Sequence, residues 1–125
     1  MKRLFASAIL VMLACSMAVI EAGPAKQFAP FKGPQLKVGG SWSITATFNG
    51  GERACVVLVG VDESAHLGLY VFDGLGNCVA RDDKMDSKVL KDRAVVWHPR
   101  KMQAYTIEVR NLGGIPDSFY IDLRR

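Results

Sequence analysis

The stretch that decides the fold is His66-Leu67-Gly68-Leu69-Tyr70-Val71-Phe72-Asp73, followed by Gly74-Leu75-Gly76-Asn77 and then Cys78-Val79-Ala80-Arg81-Asp82-Asp83. Leu67, Leu69 and Val71 alternate with His66, Gly68, Tyr70 and Phe72, which is the two-residue period of a strand that buries one face. The Gly- and Asn-rich run turns the chain back on itself, and the whole reads as a β-hairpin. Leu67, Leu69 and Val71 are expected in the core. Tyr70 and Phe72 then share the opposite face beside Gly68, where a ligand could approach closely. The expected reading is that a neighbouring loop or the Pro-rich leader covers them, since one side of a small sandwich is often capped; if the face is open, its rings can serve as platforms for sugars or proteins.

Working outward, the same period recurs on both sides. Trp42, Ile44, Ala46 and Phe48 alternate with Ser43, Thr45 and Thr47, and Asn49-Gly50-Gly51 ends that strand with residues that tolerate positive φ. Ala54 to Val59 is an almost continuous apolar, β-branched run, the pattern of a central strand covered on both faces. Beyond the hairpin, the charges from Arg81 to Arg93 nearly cancel, which suits a solvated loop. Ala94-Val95-Val96-Trp97 is a short strand ended by His98-Pro99. Tyr105, Ile107 and Val109 point inward from the next strand, with Thr106, Glu108 and Arg110 outward. Phe119, Ile121 and Leu123 alternate in the last. Roughly six to eight strands at this spacing, with no convincing helix after the N-terminal segment, give an all-β fold, an antiparallel β-sandwich.

The N-terminus has a different character. Lys2 and Arg3 precede an apolar run from Leu4 to Ile20, and Ala22 supplies a small residue before Gly23-Pro24. This is the layout of a secretory signal peptide over residues 1–22, with cleavage after Ala22 or after Ala18, and it predicts a secreted or periplasmic protein. The run is near the lower limit for a membrane span, so no stable span is expected after cleavage. Cys15 after Met12-Leu13-Ala14 loosely resembles a lipoprotein box, but the chain stays apolar beyond it. Residues 23–40 hold Pro24, Pro30 and Pro34 with Gly33, Gly39 and Gly40 and read as an extended leader, with Phe28, Phe31 and Leu36 tacked onto the body and Leu36-Lys37-Val38 as a short edge strand. The body is then residues 41–125, and about a hundred mature residues suffice for one modest core.

The formal net charge of +4 is mild, and Lys and Arg are interleaved with Asp and Glu, so nucleic acid is not the expected partner. Cys55 and Cys78 are the two mature cysteines. In an oxidising compartment they form either a disulfide, closing a loop of roughly twenty residues worth about 3 kcal/mol, or two separate thiols. Whether their strands are neighbours decides between the two.

The run Leu67-Gly68-Leu69-Tyr70-Val71-Phe72-Asp73-Gly74-Leu75-Gly76-Asn77-Cys78-Val79-Ala80-Arg81-Asp82-Asp83 resembles the strand–turn–strand of bacterial pre-peptidase C-terminal (PPC-like) domains, which read like LDLYVYDxxGNLVAxxD. Trp97-His98-Pro99 and Ala104-Tyr105-Thr106-Ile107-Glu108-Val109 are similar to that family's closing strands, so the likeness spans roughly Trp42 to Leu123. It implies a jelly-roll-like sandwich of exported proteins without catalysis, some members binding calcium and some binding collagen-like or polysaccharide ligands. In calcium-binding relatives acidic residues surround this hairpin. Here Asp73, Asp82 and Asp83 remain as metal candidates, with Asp62 nearby, while His66 and Gly68 stand where the family often has Asp. Calcium prefers several hard oxygen ligands, so that departure weighs against a site. No other cofactor is expected.

Catalytic constellations are absent from the pattern. His66 and His98 are the only histidines, which excludes a three-histidine metal site in one chain, and each reads as a surface or turn residue. Asp62, Ser64 and His66 are close in sequence, but a triad is defined by geometry that closeness does not supply. No Gly-rich phosphate loop precedes a helix. The expectation is an exported, non-catalytic β-sandwich binding or envelope-associated module, with a protein or polysaccharide of the cell envelope as partner. A calcium-dependent adhesion domain is the second reading, and an exported enzyme or enzyme inhibitor the third.

Overall fold

The computed structural model describes residues 30–85 and 89–124. The signal-peptide reading of residues 1–22, Cys15 and the Phe28 anchor lie outside the described residues. Eight strands form: β1 (Phe31–Lys32), β2 (Ser41–Phe48), β3 (Ala54–Gly60), β4 (Leu67–Phe72), β5 (Cys78–Asp82), β6 (Asp92–Trp97), β7 (Gln103–Asn111) and β8 (Phe119–Arg124). They make two antiparallel sheets of four, ordered β1-β8-β3-β6 (sheet I) and β2-β7-β4-β5 (sheet II).

That order has a simple origin. The chain doubles back at the β4–β5 hairpin, and the two halves pair in sequence: β4 with β5, β3 with β6, β2 with β7 and β1 with β8. The doubled ribbon then wraps, and β3–β8 and β4–β7 pairing completes each sheet. This is jelly-roll connectivity. The turns at 49–53, 73–77 and 98–102 share one end of the sandwich, and the segments 33–40, 61–66, 83–85, 89–91 and 112–118 share the other.

The core lies between the sheets. Leu67, Leu69 and Val71 are fully buried, as their alternation predicts, against Val56, Leu58, Ile107, Val109, Ile121 and Leu123. An aromatic cluster closes each side: Phe48, Trp97 and Tyr105 meet edge to face near the 98–102 end, and Trp42 bridges Phe31 and Phe119 near the other. Offset or edge-on ring pairs of this kind add to the area they bury.

Four expectations are corrected here. The short strand of the leader is Phe31–Lys32 on β8, while Leu36 makes only a bridge to Asp117, so part of residues 23–40 belongs to sheet I. β3 is not covered on both faces: Cys55 and Val57 are half-buried, and Val59 is exposed on the outer face of sheet I. The run up to Arg93 is not wholly solvated, because Arg93 is only 2 % exposed. His66, expected at the surface, is 6 % exposed. It lies just before β4 at the end where the loops close over it, with Gly113 against its Cβ and backbone.

Buried polar side chains tie that end together. Arg93 donates from Nε to the Leu67 carbonyl at 2.7 Å, from Nη1 to Asp82 at 3.1 Å and from Nη2 to the Lys84 carbonyl at 2.9 Å, so a residue of sheet I clasps both strands of the sheet II hairpin. Asp117 accepts from the Val61 and Asp62 amides. Asn111 Nδ2 donates to the Leu36 and Ile115 carbonyls, and its Oδ1 accepts from the Gly113 amide. Several of these bonds come from partners distant in sequence, and they satisfy backbone groups that burial would otherwise orphan.

Burial and the Arg93 charge hold the His66 pKa below its ordinary value, with Asp83 opposing, and its Nε2 has no partner among the described residues. The unfolded chain therefore takes up the proton first as pH falls. The contribution of His66 to stability is full above the ordinary histidine pKa and is lost progressively as pH drops toward the lowered folded value. Urea midpoints measured at pH 7.5 and 5.5 should show lower stability at 5.5, and His66→Gln should flatten that difference. An equal drop in the variant would exclude His66 as its source.

Candidate functional site

The open face built around the deciding hairpin is the outer face of sheet II. Register sets its composition. Tyr70 lies opposite Glu108 on β7 and Arg81 on β5, Phe72 opposite Thr106, and Gly68 opposite Arg110. On the far side of β7, the pairs are Ser41 with Arg110, Ser43 with Glu108 and Thr45 with Thr106. The alternation that buries Trp42, Ile44, Ala46 and Phe48 to different depths thus lines up the hydroxyls of Ser41, Ser43, Thr45 and Thr47 along the exposed edge of this face.

Tyr70 and Phe72 are brought together, with ring centroids 6.5 Å apart and planes 19° from parallel. They are not equivalent. Tyr70 is 6 % exposed. A Cβ at Gly68 would stand 2.8 Å from Leu112 Cδ1, 2.9 Å from the Tyr70 hydroxyl and 3.0 Å from a Tyr70 ring carbon, so both side chains close over that glycine. Arg110 covers the Tyr70 ring, the guanidinium carbon 4.2 Å from the ring centroid, and the Tyr70 hydroxyl donates to Asp83 at 3.0 Å. Any larger residue at position 68 would lift this ring. Phe72 is half-buried, so the covering comes from the face itself and closes fully over only one of the two rings. Tyr70 is a supporting plate, and Phe72 is the ring a ligand can meet.

The electrostatics of the face are balanced. Arg110 donates to Glu108 at 2.9 Å, a bond that raises the Arg110 pKa. Burial, and then the hydrogen bond to Asp83, push the Tyr70 phenol up, so it stays neutral and donating. A half-open ring flanked by hydroxyls, a carboxylate and a guanidinium can stack on the apolar face of a sugar and hydrogen-bond its hydroxyls. Sequence alternation places Thr106, Glu108 and Arg110 outward. That they lie beside Tyr70 is a matter of strand pairing, which periodicity does not encode.

The three aspartates are held apart in role. Asp73 caps its own turn, accepting from the Leu75 and Asn77 amides and from Asn77 Nδ2, bonds that lower its pKa. Asp82 is bound to Arg93 and the Ala94 amide, and Asp83 to Tyr70. No group of three or more His, Cys, Asp or Glu suited to a metal ion occurs among the described residues. Cys55 and Cys78 are free thiols. The first sits on β3 in sheet I and the second opens β5 in sheet II, so the structure does not join the pair that the cysteine count raised. Asp62 Oδ1 accepts from the Ser64 amide, a local turn, while His66 is buried below it.

No protein-family model matches the chain, and no curated protein matches it.

Proposed function

We propose that this chain is an exported, non-catalytic β-sandwich module that binds a polysaccharide of the cell envelope on the outer face of sheet II. The observation that supports it is the half-buried Phe72 ring, backed by the clamped Tyr70 and bordered by Thr106, Glu108, Arg110 and the β2 hydroxyls. Pre-organised rings lose little conformational entropy on binding, which is how a small open face reaches useful affinity. The likeness of the hairpin to PPC-like domains agrees with such a role.

The test is a binding panel of soluble neutral polysaccharides (dextran, starch and galactan), followed by the Phe72→Ala variant. At least one member should bind, and the variant should lose about tenfold in affinity, or about 1.4 kcal/mol, with little change in melting temperature. Unchanged binding in the variant would place the ligand elsewhere. Turnover of any polysaccharide that depends on a single side chain would end the non-catalytic reading.

A further inference from the structure

We infer that a second site, at the end of the sandwich formed by the 49–53, 73–77 and 98–102 turns, takes an acidic sugar unit of a glycan. A cleft of about 550 Å³ opens there, lined by Asp73, Val79, Trp97, His98, Arg100, Lys101, Gln103 and Tyr105. That volume lies in the range of small-ligand pockets. It is separate from the face that carries Phe72.

Three devices build it. The β-bulge between β4 and β5 pairs Val71 with Ala80 and Phe72 with Cys78, leaving Val79 unpaired on one wall; bulges commonly re-aim a side chain in this way. The turn at Asp73 is locked by its own carboxylate and by the Asp73 amide donating to the Asn77 carbonyl. The 98–102 loop is clamped by the preceding turn. The Gly51 amide donates to the Pro99 carbonyl at 2.9 Å, and the backbone of Lys101 approaches Gly50 so closely that a Cβ there would stand 2.5 Å from the Lys101 Cα. The cationic residues are therefore carried on a fixed loop.

The lining specifies the ligand. Arg100 and Lys101 are exposed and enter no ion pair among the described residues, and against the single carboxylate of Asp73 they leave the lining with a net positive charge. Asp73, the one carboxylate of the lining, accepts from its own turn and stays ionised, so the cations outnumber it two to one. At the base, Trp97 is 7 % exposed and its Nε1–H has no acceptor among the described residues. Gln103 and His98 add hydrogen-bonding groups, and Val79, Trp97 and Tyr105 an apolar floor. A carboxylate for the cations, hydroxyls for the amide and imidazole, and a ring for the floor together describe a uronic acid. An acidic peptide offers the charge without the ring and its hydroxyls.

The test is calorimetry on the purified protein with trigalacturonate, with galactotriose as its uncharged counterpart and a short polyglutamate peptide as the rival class. Trigalacturonate should bind, the other two at least tenfold more weakly. The Arg100→Ala/Lys101→Ala double variant, altered only at exposed positions, should lose at least tenfold, and 0.5 M salt should weaken wild-type binding by screening. Phe72→Ala should leave it unchanged. Absence of trigalacturonate binding, equal binding of galactotriose or polyglutamate, full affinity in the double variant, or loss of affinity in Phe72→Ala would each overturn the assignment.

Discussion

Arg93→Met should destabilise the protein by about 3–5 kcal/mol, the range for removing one partner of a buried ion pair, and urea unfolding measures it directly. The three hydrogen bonds of Arg93 reach Leu67, Asp82 and Lys84 across the seam between the sheets. Its side chain is almost wholly buried, while Asp82 is partly open to water. The loss therefore leaves two carbonyls and a half-shielded carboxylate without their donor, and Asp82 keeps only the Ala94 amide. Asp82→Asn should cost less, because the remaining bonds of Arg93 survive. Arg93→Lys should fall between, since an ammonium cannot reproduce the planar fork that reaches three acceptors. In the Arg93→Met/Asp82→Asn double variant the losses should be less than additive, the sign of a shared interaction. A cost below about 1 kcal/mol for Arg93→Met, the level of an exposed pair, would show that the clasp contributes little.

Phe48→Ala should cost about 3–5 kcal/mol, the range for emptying a buried aromatic site. Phe48 is fully buried, and its ring meets Trp97 at 4.9 Å and Tyr105 at 5.9 Å. Those two rings also floor the end cleft, so the cavity left behind loosens the base of that site as well as the core. Near-UV circular dichroism should report the freed Trp97 through a weakened aromatic signal. Phe48→Leu should recover most of the stability but not the edge-to-face geometry, separating volume from ring packing. Taken against a typical domain stability of about 5–15 kcal/mol, either large loss brings the folded state close to its threshold. A variant with an unchanged unfolding midpoint would mean that Phe48 does not anchor this end.

The residues differ in how much of this they declare. Alternation in Leu67–Val71, Tyr105–Val109 and Phe119–Leu123 states which side chains face inward, and all of these are buried. Alternation is silent about neighbours. Nothing local in Tyr70 says that Glu108 and Arg81 flank it, because that follows from doubling the chain at the hairpin. The apolar run of β3 reads as doubly covered, since Val57 and Val59 are as apolar as Val56 and Leu58; only the placement of β3 within sheet I shows that one face is open. Arg93 sits among charges that nearly cancel, and its burial depends on acceptors in another sheet. Two-residue β1 is too short to show a period. The cleft residues Arg100 and Lys101 read as ordinary turn residues until Gly50 and Gly51 are seen holding their loop.

The most direct measurement of the central reading, binding without turnover on a pre-built face, is a titration of the isotope-labelled protein followed by amide NMR, using the tightest neutral polysaccharide of the panel. Binding on sheet II should move the amides of Phe72, Thr106, Glu108 and Arg110 together, while the ligand's own signals stay intact over days. Shifts confined to sheet I, no shifts at all, or the appearance of cleavage products would contradict it.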